Sequence, residues 1–144
     1  MIKIKIKKFR DSVPLPQFQT EGSVGADIVA MKIARRGLFR IWYDCEFAAE
    51  IPKPFACFIF PSSSIRKYPL VLANSVGVVD TDYRGTFQVC FNRTFLGIFT
   101  RRAYKVGQRI AQLLIMKVEP VEYIDSKIIS ETGRGKGGFG HTGK

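Results

Sequence analysis

Apolar and basic residues alternate with a period of two from Met1 to Phe9, the pattern of a half-exposed or edge strand whose lysines face water. Pro14 and Pro16 interrupt regular structure, Thr20-Glu21-Gly22 reads as a loop, and a second strand begins at Gly25-Ala26-Asp27-Ile28-Val29. Between Leu38 and Phe60, three apolar runs (L-F-R-I-W-Y, C-E-F-A-A-E-I and F-A-C-F-I-F) are separated by turn signals at Asp44 and Pro52-Lys53-Pro54. Short strands at this spacing, with few helical patterns, predict an all-β barrel or sandwich. Trp42 and the phenylalanines of these runs are expected in its core. Val76–Val79 and Phe87–Phe91 flank the polar turn Asp80-Thr81-Asp82-Tyr83-Arg84-Gly85 and predict a β-hairpin, with Gly85 free to take turn angles. Asn92–Lys105 reads as an exposed hairpin, and Leu114–Val118 as a last strand.

Length and composition narrow the possibilities. A chain of 144 residues fits one domain with a sizeable core. No apolar run reaches membrane-spanning length and the N-terminus lacks a signal-peptide pattern, so a soluble, cytoplasmic protein is expected. Cys45, Cys57 and Cys90 read as buried free thiols. With His141 the only histidine, a Cys/His zinc site and histidine-based triads drop out, leaving a carboxylate or an unusual lysine as general base. The formal charge of +11 points to polyanionic partners without choosing among nucleic acid, membrane surface and nucleoside phosphates.

Several stretches admit two readings from their residues alone. Asp80 either caps the turn with Tyr83 packed on it, or is poised to deprotonate a water beside a small planar ligand. Pro61-Ser62-Ser63-Ser64-Ile65 ends a strand before a short helical turn, either as a serine cap or as a phosphate cradle of free N–H groups and hydroxyls. Gln112 alternates with inward apolar positions and should face a partly buried site, while Arg109 more simply makes structural contacts. The glycine-rich end, residues 133–144, is either a disordered tail or a lid over a site built on residues 1–132.

The segment Gly77–Gly85 resembles the third motif of the homotrimeric dUTP diphosphatases (dUTPases), G-V-V-D-x-x-Y-R-G. Four other stretches resemble that family's remaining motifs in the same order: S-V-G-A-D-I-V-A at Ser23–Ala30, P-S-S-S-I at Pro61–Ile65, G-Q-R-I-A-Q-L at Gly107–Leu113, and G-R-G-K-G-G-F-G-H-T-G at Gly133–Gly143. The likeness covers nearly the whole chain, and five motifs in order are far more specific than one.

The resemblance implies a distorted jelly-roll-like β-barrel that assembles as a homotrimer with active sites at subunit interfaces. It implies Mg²⁺-dependent hydrolysis of dUTP to dUMP and pyrophosphate, which keeps uracil out of DNA and supplies dUMP for dTMP synthesis. By the same likeness, Asp80 activates the attacking water. Asp27 orients water around the substrate-bound metal. Ser62, Ser63 and Ser64, with Gln112, hold the phosphates. Asn74 and the backbone at Gly77 and Val79 read uracil, and Tyr83 lies against the deoxyribose and leaves no room for a 2′-hydroxyl. Arg134, Gly138, Phe139, Gly140 and Thr142 belong to an arm that closes a neighbouring subunit's site, with Phe139 stacked on the base and Arg134 at the γ-phosphate.

The chain departs from the family pattern in places. Ser62 stands where arginine is usual, and Arg66 is a candidate replacement for the lost charge. Gln108 replaces a common aspartate, a change expected to be peripheral. His141 replaces a common serine, with Thr142 keeping a hydroxyl beside it. Asn92–Lys105 is less like the family, and its interleaved basic and aromatic residues also fit a nucleic-acid patch. Three other readings therefore stand beside dUTP hydrolysis: a catalytically weak regulatory nucleotide-binding protein, a dCTP deaminase-like enzyme, and a non-specific nucleic-acid binder.

Overall fold

The computed structural model describes residues 1–138. Their order is β1 (Lys5–Lys8), β2 (Ala26–Val29), β3 (Lys32–Arg36), β4 (Arg40–Asp44), β5 (Phe47–Glu50), β6 (Phe55–Pro61), a 3₁₀ turn (Ser63–Lys67), β7 (Leu70–Leu72), β8 (Gly77–Val79), β9 (Gln88–Arg93), α1 (Phe95–Thr100) and β10 (Arg109–Lys117). Two four-stranded antiparallel sheets, β2-β10-β6-β8 and β3-β4-β9-β7, and a ribbon of β1 with β5 make up the fold. From β6 to β10 the chain alternates between the two large sheets, as in a jelly roll. The all-β expectation holds.

Strand parity decides what is buried. In β4, Ile41 and Tyr43 point into the core while Trp42, one step out of phase, is only half-buried. The core expectation for Trp42 therefore fails. The interior between the sheets instead holds Ile28, Tyr43, Phe47, Phe91, Tyr104 and Ile110 with their neighbours. Tyr43 donates its hydroxyl to the Tyr104 carbonyl at 2.8 Å, and its burial pushes its pKa up to about 12.

Three further expectations are corrected. Val76–Val79 and Phe87–Phe91 do not form a hairpin with each other: β8 pairs with β6, whereas β9 pairs with β4 and β7 in the other sheet. The polar turn between them is a crossing from sheet to sheet. Asn92–Lys105 holds a short helix instead of a hairpin, seated by the N–H of Thr94 on the Pro69 carbonyl at 3.0 Å. Asp44 is no exposed turn residue but the buried end of β4. Among the cysteines, Cys45 and Cys57 are buried, and burial pushes both thiols up to about 12, while Cys90 is half-buried.

Candidate active site

Asp27, Ser62, Ser63, Ser64 and Gln112 share one pocket of about 520 Å³ with Lys67, Tyr68, Tyr104, Gln108 and Arg109. Sheet register explains the grouping. Gln112 of β10 sits between Asp27 on β2 and Phe60 on β6, and the serines follow the end of β6. Gly25 makes room for this arrangement, because a Cβ there would collide with the Gln112 side-chain oxygen.

Ser62 caps the 3₁₀ turn: its Oγ accepts from the Ser64 N–H at 3.3 Å and the Ser64 hydroxyl at 3.0 Å. Ser64 Oγ and the Tyr104 hydroxyl share a further hydrogen bond of 3.1 Å, and burial raises the pKa of Tyr104. Ser63 is the exposed member of the trio. The cap and cradle readings thus coexist, with Ser62 and Ser64 ordering the turn that presents Ser63.

Lys67, not Arg66, brings a cation to this pocket. Sequence reasoning missed it. A 3₁₀ turn has three residues per revolution, so Lys67 stacks one turn beyond Ser64. Predicting that turn type was the signal needed. Gln108 is not peripheral either: its side-chain oxygen accepts from the Tyr68 hydroxyl at 3.1 Å and the Lys105 N–H at 2.6 Å, fixing the loop before β10. Arg109 pairs with Asp27 at 3.2 Å, in keeping with a structural contact, yet it also lines the pocket. Lys67 and Arg109 against Asp27 leave the lining net positive, and the hydroxyls and amides supply neutral donors. This chemistry suits a bound phosphate chain.

The remaining candidates lie elsewhere on the chain. Asn74 and Gly77 line a second depression of about 250 Å³ with Trp42, Ile59 and Gln88. Val79 and Asp80 border a third with Phe55 and Ala56. Because β8 runs antiparallel to β6, Val79 lies opposite Cys57, so Asp80 follows at the Phe55 end and Ser62 lies at the other. At about 3.3 Å per residue, Cys57 to Ser62 alone spans about 17 Å. Asp80 and the serine turn of one chain are out of reach of each other.

Tyr83 folds back over its own turn, donating its hydroxyl to the Thr86 carbonyl at 2.9 Å. Gly85 permits this, since a Cβ there would strike the Tyr83 hydroxyl. Arg84 ties the turn by donating to the carbonyls of Thr81 at 2.7 Å and Tyr83 at 2.9 Å. Arg134 donates to the Gly137 carbonyl at 2.8 Å within the exposed end of the chain, where Gly138 is also exposed. Phe139, Gly140, His141 and Thr142 lie outside the described residues.

The turn is anchored from below by a buried carboxylate that sequence reasoning had taken for a turn signal. Asp44 Oδ1 accepts from Thr86 Oγ1 at 2.6 Å and the Glu46 N–H at 2.7 Å, and Lys32 lies 3.5 Å from Oδ2. Lys32 also meets Glu46, which Arg10 clamps from the other side. Burial alone would push Asp44 up, but these hydrogen bonds and the Lys32 charge together hold it below its ordinary value. A carboxyl with a depressed folded pKa stabilises the fold fully above its unfolded value of about 4, and that contribution disappears as pH falls through the lower folded value. Asp44→Asn should therefore cost about 1–3 kcal/mol in urea unfolding at pH 7 and flatten the loss of stability below about pH 4. Equal stability and an unchanged acid slope in this variant would remove Asp44 as the anchor.

A two-sheet jelly-roll-like β protein with a cationic, hydroxyl- and amide-lined pocket at one strand end is the class that fold and site define. Residues 11–143 match the dUTPase family model, and the chain belongs to the dUTPase family. It is 32% identical over 151 aligned residues to the deoxyuridine 5'-triphosphate nucleotidohydrolase of Fusobacterium nucleatum, with 100% of each chain covered. In fold it is similar to the dUTPase of Staphylococcus bacteriophage 80alpha solved with dUpNHpp (TM-score 0.83, 18% identity, 100% of both chains). It is also similar in fold to the dUTPase of phage phi11 of S. aureus, whose structure is described as revealing the coordination of a structural Mg(II) ion (TM-score 0.73, 16% identity, 88% of this chain and 98% of that one).

Proposed function

We propose that this chain hydrolyses dUTP to dUMP and pyrophosphate, in a site that two copies complete. The observation that carries the reading is the polar, net-positive pocket of Ser62–Ser64, Gln112, Asp27, Lys67 and Arg109 in a chain of the dUTPase family. Lys67, Arg109, Ser63 and Gln112 hold the triphosphate, and Lys67 supplies a cation on the turn where the family's arginine is replaced by Ser62. Asp80 of a second copy accepts a proton from water as the water oxygen attacks the α-phosphorus. The α–β bridging bond then breaks and pyrophosphate departs.

Among the described residues no group of three or more metal-ligating side chains is found, and the phosphate pocket offers one carboxylate, Asp27. That donor set fits Mg²⁺ held chiefly by the triphosphate and waters, with Asp27 meeting those waters. The ion, when bound, neutralises phosphate charge. Asn74 and the Gly77–Val79 backbone read the uracil edge, and Tyr83 packs on the deoxyribose. A base with the wrong donor pattern leaves buried polar groups unpaired, at a cost of about 1–3 kcal/mol each. Residues 133–144 act as an arm that brings Arg134, Gly138, Phe139, Gly140 and Thr142 to the bound nucleotide, and the assembly is a homotrimer.

The test is pyrophosphate release with Mg²⁺ from dUTP beside dCTP, dTTP and UTP, with ammonia release from dCTP followed in parallel. Release from dUTP alone is expected. Silence on all four from folded protein overturns hydrolysis in favour of a regulatory nucleotide-binding role, and ammonia from dCTP overturns it in favour of deamination. In the same assay, a chain ended at Thr132 should fall to near background while remaining folded; full activity would remove the arm from the site.

A further inference from the structure

From Tyr83 to Val118 the chain carries seven lysines and arginines and no aspartate or glutamate. The fold gathers part of this charge into a groove that the dUTP reading does not use. Arg36 of β3 and Arg101, Arg102 and Lys105 after α1 line a groove of about 650 Å³ floored by Ile33, Ala103 and Val106. Its lining contains no carboxylate, and among the described residues none of these four cations is in an ion pair. Beside it, Arg93 is buried with its guanidinium donating only to the carbonyls of Gly97 and Arg102, both at 3.4 Å. Burial, then the charges of Arg36 and Arg101, push the pKa of Arg93 down, a sign of unbalanced positive potential at this surface.

Helix α1 runs into the groove, with Thr100 and its C-cap Arg101 on the lining. It turns its phenylalanines outward: Phe95 is 79% and Phe99 69% exposed, with ring centroids 4.9 Å apart, edge to face. Gly97, on the opposite side, is buried. Exposed aromatic pairs beside an acid-free cationic groove combine the two elements that hold a single nucleic-acid strand, charge along its backbone and π-faces for its bases.

We propose that this surface binds single-stranded nucleic acid without sequence preference, the phosphates following Arg36, Arg101, Arg102 and Lys105 and the bases stacking on Phe95 and Phe99. A duplex keeps its bases stacked inside and leaves the phenylalanines without partners. A lipid surface is flat, whereas these cations are sunk in a groove beside the aromatic turn.

The experiment is fluorescence anisotropy of the full chain with a labelled, uracil-free, mixed-sequence 20-nucleotide single strand. With four phosphates neutralised, affinity should fall about 50-fold between 50 and 200 mM salt. The charge reversals R101E/R102E and, separately, R36E/K105E should each weaken binding at least about tenfold and flatten that slope. F95S/F99S should weaken it at least about fivefold with the slope retained. Pyrophosphate release from dUTP should be unchanged in R101E/R102E and F95S/F99S, which separates this surface from the phosphate pocket. No binding at 50 mM salt, or binding indifferent to all three variants, overturns the proposal. So does tighter binding, through the same residues, to phosphatidylserine vesicles or polyglutamate.

Discussion

Asp80→Asn is expected to lower the turnover number for dUTP by about 10²–10⁴ while leaving nucleotide affinity largely intact. Asparagine has the same shape but accepts no proton from water. A loss of this size corresponds to about 3–5 kcal/mol of transition-state stabilisation. Asp80 is exposed just past the end of β8, and its backbone carbonyl, which the substitution leaves in place, accepts the Tyr83 N–H at 3.2 Å. The folding cost should therefore stay within about 0.5 kcal/mol, as for surface changes generally. Pyrophosphate release gives the rate and calorimetric titration with dUpNHpp gives the affinity. A variant that turns over like wild type removes Asp80 from the role of base. One that loses rate and affinity together points to a residue that holds substrate rather than one that moves a proton.

The strands were legible from period-two alternation because each large sheet buries one face against the other. Trp42 was legible too, had parity been followed from its neighbours Ile41 and Tyr43 instead of from residue type. Pairing was not legible. The apolar runs flanking Asp80–Gly85 fit a hairpin locally, but each finds its partner far away in sequence, Val79 on Cys57 and Cys90 on Trp42. The helix at Phe95–Thr100 was hidden for a related reason. Its seat is the Pro69 carbonyl, a long-range contact that no local pattern encodes. The motifs named the candidate residues, but only the register divided them. Asp27, Ser62–Ser64 and Gln112 fall in one pocket, while Asn74 with Gly77 and Asp80 with Val79 lie in two other depressions.

That division makes a prediction that no single-chain site satisfies. If Asp80 and the phosphate pocket of each working site come from different copies, two inactive variants should repair one another. Asp80→Asn lacks the base but keeps the pocket, and Gln112→Ala lacks a phosphate ligand on β10 but keeps the base. Unfolded together and refolded as a mixture, they should form some sites with the base from the Gln112→Ala chain and the pocket from the Asp80→Asn chain. With random assortment of equal amounts, about a quarter of sites receive both intact halves, so activity should rise to about a quarter of wild type. Each variant refolded alone should stay near background. The antiparallel pairing of β6 with β8 is what puts the two halves at opposite strand ends, and no side-chain movement spans about 17 Å. A mixture no more active than its parents would mean that each chain builds its own site, and the loop from Asp80 to Phe87 would then have to leave its anchor on Asp44 to reach it.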